Sequence, residues 1–254
     1  MNRSRIIEFT LMCCIAVWMP SVARAGLIAG SLLQFTGNAQ FSTTAIAWGC
    51  NQPGDSVCVV PPANSGDFAV AASTGSFAQY NGGFGQIKNI NAAGQPPNAL
   101  FSLPNFISFD LNNDITIELT FIPLGTDPPS STCAGLSSCT PQNSLLVTPN
   151  DPTGRSAFNL DADSTGTKLT FGIAGIAHQL GGATANISGT YTAEFVGMNP
   201  QQALAAIQGG SDSVYPATLT LPGSPTTAPE PTSLILSGIG LAGLVLVRRR
   251  VRRS

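Results

Sequence analysis

The stretch Ile115-Thr116-Ile117-Glu118-Leu119-Thr120-Phe121 sets apolar and polar residues strictly in turn. Successive side chains of a β-strand point to opposite faces, whereas a helix would scatter this pattern around its circumference. The segment therefore predicts a strand with one buried face. The same alternation recurs in Leu169/Phe171/Ile173, Tyr191/Ala193/Phe195 and Ala217/Leu219/Leu221. Segments 106–111 and 115–122 flank Asn112-Asn113-Asp114, which suits a hairpin turn. One short helix is expected near 200–208: Asn199 is a good N-cap, Pro200 fits the first helical position and Gly209 the C-terminal stop. Leu204 and Ile207 would face the sheet together. The expected fold is all-β: an antiparallel β-sandwich, with a jelly roll as one form of it, crossed by this helix.

Charge divides the chain into unlike regions. Eight of the 11 basic residues lie near the two ends, leaving Lys88, Arg155 and Lys168 between them. Eleven of the 13 acidic residues stay in the body, which carries a net charge of −8. Three cations cannot neutralise a phosphate backbone, so nucleic acid is not an expected partner. The body, residues 26–221, is long enough to bury one core.

Residues 1–25 read as a signal peptide. Arg3 and Arg5 supply the positive start, residues 9–19 (FTLMCCIAVWM) the apolar core, Pro20 the stop and Ala23-Arg24-Ala25 the small-residue cleavage site. Cleavage after Ala25, and hence Sec machinery and signal peptidase as partners, is the expectation. The apolar run is too short for a spanning helix, which needs about 20 residues. A lipoprotein reading fails because Met12 and Cys13 stand before Cys14, and Arg3-Ser4-Arg5 is no twin-arginine pair.

The other end has three ordered parts. A Pro/Ser/Thr linker over 222–228 leads into Pro229-Glu230-Pro231, which two prolines hold extended. Residues 233–247 (SLILSGIGLAGLVLV) carry no charge and would give about 22 Å of transmembrane helix, short for a core of about 30 Å unless flanking arginines snorkel. Arg248, Arg249, Arg250, Arg252 and Arg253 then act as a membrane stop on the cytoplasmic side. Gly-x-Gly-x-x-Gly at 238–243 lies inside this run without a preceding strand, so it reads as helix packing and not as a dinucleotide site. Together, residues 229–254 resemble a PEP-CTERM sorting signal, also labelled an ice-binding protein C-terminal domain. That resemblance implies handling by an exosortase-type protease at the inner membrane of a Gram-negative bacterium, with Pro229, Glu230 and Pro231 as recognition residues. It further implies a destination at the cell surface or in an extracellular polysaccharide matrix. A permanent anchor is the alternative for the same tail.

Four cysteines follow the leader: Cys50, Cys58, Cys133 and Cys139. An even count in an exported chain reads as disulfides. Three pairings are open; Cys50–Cys58 and Cys133–Cys139 are favoured because Pro53-Gly54 can turn the chain back in the first and the second closes a Pro/Ser/Gly loop. Zinc is a poor fit to either spacing.

Catalytic chemistry is sparse, and no catalytic residue, metal or cofactor is expected. His178 is the only histidine and sits in Ile-Ala-His-Gln-Leu without a nucleophile elbow. Gly54-Asp55-Ser56 reads as a turn. Asp161-Ala-Asp163-Ser-Thr-Gly166 matches the first half of a Ca²⁺ loop, but Gly172 stands where the bidentate Glu belongs, so a hairpin turn is the plainer reading. Asp110 to Asp114 fits less well, with Ile115 in place of the glycine. Glu118 and Glu194, the body's only glutamates, fall on polar strand faces. Thr-x-Thr pairs at 165/167, 190/192 and 218/220 are irregularly spaced and do not make an ice-binding array. The expected function is that of a non-enzymatic surface or matrix protein. A polysaccharide-binding module or glycosidase is the alternative, weakened by a body with Trp48 as its sole tryptophan and Tyr80, Tyr191 and Tyr215 as its tyrosines.

Overall fold

The computed structural model describes residues 26–49, 65–148 and 151–222. Its strands are β1 (Leu32–Phe41), β2 (Ala45–Trp48), β3 (Ser65–Val70), β4 (Phe84–Lys88), β5 (Ile90–Asn91), β6 (Leu103–Phe109) and β7 (Ile115–Phe121). After them come β8 (Pro129–Ser130), β9 (Ser138–Pro141), β10 (Asn159–Ala162), β11 (Gly166–Gln179), β12 (Thr184–Val196) and β13 (Asp212–Thr220). One α-helix, α1 (Pro200–Gln208), joins the last two strands.

Among the described residues the all-β, mostly antiparallel class with one short helix holds, and the sheet closes on itself. Hydrogen bonding runs β12-β13-β1-β3-β4-β6-β7-β11, and β11 pairs again with β12, so eight strands close a barrel-like sheet. Only full closure removes unpaired sheet edges. Two long strands fork to achieve it. The first part of β11 pairs with β10 through Thr167–Thr170, and its second part with β7 from Ala174 to Gln179. Likewise β1 pairs with β3 at Phe35 and Thr36 and with β2 from Ala39 to Phe41. The forked flank continues through β10 to β9 and β8.

An eight-stranded barrel is narrow enough for its own side chains to fill. Aromatic residues do this here. Phe35 and Phe68 lie 4.6 Å apart between ring centres, Trp48 and Tyr215 4.8 Å, and Tyr191 stacks on Phe171 at 4.8 Å. The alternation read from sequence places Leu169, Phe171, Ile173, Tyr191, Ala193, Phe195, Ala217, Leu219 and Leu221 inside. Gly37 stands opposite Tyr215 in the β1–β13 register, and a Cβ there would come within 2.6 Å of Tyr215 Oη. Glycine is thus required for the tyrosine ring to lie across that strand.

Each end of the barrel has its own cap. A 3-10 turn, Gly75–Tyr80, closes the end where β1 begins, with Phe77 and Tyr80 buried. The opposite end carries α1, which packs Ala203, Leu204 and Ile207 inward. Its capping box is complete: Asn199 Oδ1 accepts from Gln202 N at 3.0 Å, and Gln202 Oε1 accepts from Asn199 N at 3.0 Å. The expected signal helix, the transmembrane helix at 233–247 and the Cys50–Cys58 loop lie outside the described residues. Among the described residues no helix is long and apolar enough to cross a membrane.

Candidate functional site

The most concentrated polar chemistry lies on the outer wall where β6, β7 and β11 run side by side. Alternation buries Ile115, Ile117 and Leu119 of β7 and turns Glu118 outward. Glu118 stands opposite Ile176 of β11, and His178 lies two residues further along that strand. The diagonal places His178 Nε2 3.0 Å from Glu118 Oε2. On the other side, Ser102 Oγ donates to Glu118 Oε1 at 2.6 Å. Both oxygens of one carboxylate are therefore engaged. The Ser102 hydrogen bond first, and the His178 hydrogen bond second, hold the Glu118 pKa below the ordinary glutamate range.

These are the residue types of a hydrolytic triad in an order that does not serve nucleophilic catalysis. There the imidazole stands between hydroxyl and carboxylate, so that it can take the hydroxyl proton. Here the carboxylate stands in the middle and the serine proton points at it. What the arrangement does is tie the segment entering β6 to β7, and β7 to β11. The sequence alone puts Glu118 on a polar strand face and His178 in a segment without a nucleophile elbow. Their pairing depends on a strand register between residues 60 apart and is not visible at that level.

The second polar cluster gathers at the turn before β8. Asn159 Oδ1 accepts from Thr126 N at 2.9 Å, Asp127 N at 3.3 Å and Thr140 Oγ1 at 2.8 Å. Beside it, Asp127 Oδ2 is buried with no donor among the described residues. Burial, then the neighbouring Asp161 carboxylate, raise the Asp127 pKa. Asp161 thus faces Asp127, while Asp163, its partner in the Ca²⁺-like sequence, serves the hairpin turn. Asp163 Oδ1 accepts from Thr165 N and Thr165 Oγ1 at 2.7 Å each and from Gly166 N at 3.0 Å. Among the described residues no three His, Cys, Asp or Glu side chains come together to hold a metal ion.

Cys133 and Cys139 are joined in a disulfide with Cα atoms 5.7 Å apart, both buried. Trp48, Tyr80, Tyr191 and Tyr215 are all buried as well, at 4% exposure or less. A small apolar pocket of about 30 Å³ opens between Thr43, Ile46, Ile90, Ile122, Phe158 and Phe171. That is space for about two water molecules, far below the volume of a ligand-sized site. Glu194 lies exposed on the outer face of β12.

The two ends of the described body meet. Gly30 N donates to Leu221 O at 2.9 Å, and Leu221 N to Ser31 O at 3.0 Å. The segment beyond Pro222 holds Pro229, Glu230, Pro231 and the arginines 248–250, 252 and 253, all outside the described residues. A family described as a PEP-CTERM protein-sorting motif matches residues 227–250. The chain carries a PEP-CTERM sorting motif. This motif supports sorting by an exosortase toward the cell surface, and with it export and membrane association along the route. No curated protein and no solved structure matches the chain. The PEP-CTERM match therefore speaks for the tail, and the barrel is read on its own geometry.

Proposed function

We propose that the barrel is a non-enzymatic component of the cell surface or extracellular matrix, delivered by its PEP-CTERM tail and released when an exosortase-type protease cuts near Pro229-Glu230-Pro231. The observation that carries this reading is the sorting motif at 227–250. The barrel supports it in two ways. Its polar clusters are committed to holding strands and turns: Ser102, Glu118 and His178 tie a seam, and Asp163 holds a hairpin. Its tryptophan and tyrosines among the described residues lie in the core, so they offer no stacking platform for sugar rings. In this reading the partners are the Sec machinery and signal peptidase at the leader, exosortase and the inner membrane at the tail, and exopolysaccharide as the surrounding matrix.

Intact-mass measurement of the protein recovered from the cell surface or medium tests the proposal. The expected product begins at Gly26 and lacks residues 232–254. A mass that retains those residues would overturn processing and establish the tail as a permanent anchor. Hydrolysis of the producing organism's own exopolysaccharide by the purified barrel would overturn the non-enzymatic assignment.

A further inference from the structure

The pole of the barrel from which the tail departs has features of its own. The 3-10 turn Gly75–Tyr80, the β6–β7 turn and the β11–β12 turn all gather there. Ile28 N donates to Ser76 Oγ at 2.8 Å, the Leu111 side chain lies over Gly83, and Leu180 N donates to Asp114 O at 2.7 Å. Three large apolar residues stand outward on this pole: Ile28 is 53% exposed, Leu111 66% and Leu180 57%. Pro222 leaves beside them, because Leu221 is hydrogen-bonded to Gly30 and Ser31. Only residues 223–232 separate it from the apolar run 233–247. Ten residues span at most about 35 Å when fully extended.

We propose that this pole docks on a zwitterionic lipid surface, with Ile28, Leu111 and Leu180 settling at headgroup depth while the tail holds the chain in the bilayer. The proposal rests on the reading of 233–247 as a membrane span. Three partly exposed side chains would bind a vesicle weakly in free solution. A short tether makes the same contact intramolecular, and the high effective concentration lets a weak surface stay engaged. Charge selects the lipid. Asp110 and Asp114 flank Leu111 in the β6–β7 turn, whereas Lys88 ends β4 on the far side and Lys168 lies near the far end of β11. An anionic leaflet attracts basic segments and repels this acidic rim. Docking would hold Pro229-Glu230-Pro231 at the membrane surface, within reach of a membrane-embedded protease.

The test uses the chain from Gly26 to Ser254 reconstituted with phosphatidylcholine vesicles whose acyl chains are brominated. Tryptophan is introduced by Leu111→Trp, with Ile28→Trp as a second probe and Val196→Trp, at the opposite end, as reference. Flotation with the vesicles together with several-fold stronger bromine quenching of the Leu111→Trp and Ile28→Trp proteins than of Val196→Trp is the expected result. Flotation with equal quenching at all three positions would overturn docking and leave the tether intact. Failure of the chain to float would refute the tether, and the docking proposal with it. Stronger quenching of the Leu111→Trp and Ile28→Trp proteins in brominated phosphatidylglycerol than in brominated phosphatidylcholine vesicles would contradict the charge argument.

Discussion

His178 Nε2 lies 3.0 Å from Glu118 Oε2 across the β7–β11 seam, and the same carboxylate accepts from Ser102. The pair joins the body's only histidine to one of its two glutamates. Because the folded-state pKa of Glu118 is depressed, chiefly by Ser102 and then by His178, the stability it contributes is present above the ordinary glutamate range. That contribution is lost as pH falls through the depressed pKa. Glu118→Gln is expected to remove this part of the acid dependence. The side chain is 20% exposed and its histidine partner 41%, so the effect stays below about 1 kcal/mol. Urea midpoints compared at neutral and acidic pH check it: parallel loss of stability in wild type and variant would contradict the assignment.

Asp127 predicts the opposite slope. Its folded pKa is raised, by burial and then by Asp161. A raised carboxyl pKa means that the folded state holds its proton more tightly than the unfolded chain. Stability from this group is therefore full below the ordinary aspartate range and falls as pH rises through the elevated pKa. Asp127→Asn keeps the shape, removes the repulsion and should raise the urea midpoint at neutral pH while leaving it nearly unchanged in acid. A lower midpoint for Asp127→Asn at neutral pH would show that the carboxylate is needed there in its charged form.

The buried tyrosines divide into two kinds. Tyr80 Oη accepts from Ile115 N at 3.1 Å, and its ring stacks on Phe109 at 3.7 Å between centres. Burial, the dominant influence, pushes its pKa up to about 12. Tyr80→Phe keeps the stack and strands a buried amide, at a cost of roughly 1–3 kcal/mol. Tyr191 and Tyr215 have buried hydroxyls with no hydrogen-bond partner among the described residues, so Tyr191→Phe should be neutral or stabilising, since the variant deletes an unsatisfied group. Thermal unfolding of the two variants side by side distinguishes them. Equal destabilisation would refute the distinction.

Local signals were the ones the sequence displayed. The determinants of α1 sit within a few residues of one another, from Asn199 and Gln202 to Gly209, and the helix stands where they place it. Period-two spacing identified which face of β7, β11, β12 and β13 is buried, because each side chain needs only its own strand to choose a face. Spacing does not name a strand's neighbour. Closure of the ring through the long β11–β12 ladder depends on contacts between distant segments. So do the Glu118–His178 pair and the meeting of Asp127 with Asp161, for which β9 must pair with β10 on one side and with β8 on the other. The 3-10 cap over 75–80 was hidden for a different reason: Thr74, at its N-cap, makes no side-chain capping bond, so no capping motif announces it.

That flank also carries the last prediction. Cys133 and Cys139 close a loop with a sequence separation of 6, and β9, which begins where that loop ends, pairs with β10 at Cys139↔Leu160. The β8–β9 pairing is only two residues long, which is marginal without further support. In the chain-entropy account, closing a loop of this size stabilises by about 2–3 kcal/mol, because the cross-link restricts the unfolded chain. The double variant Cys133→Ser/Cys139→Ser should lower global stability by about that amount. It should also speed hydrogen exchange at Thr140 N and Gln142 N, which bond to Pro128 O and Ser130 O, before it affects the β11–β12 ladder. The barrel strands do not run through this loop, so they are expected to retain slow exchange. Uniform acceleration across the barrel would show that the disulfide supports the whole sheet and not this flank alone.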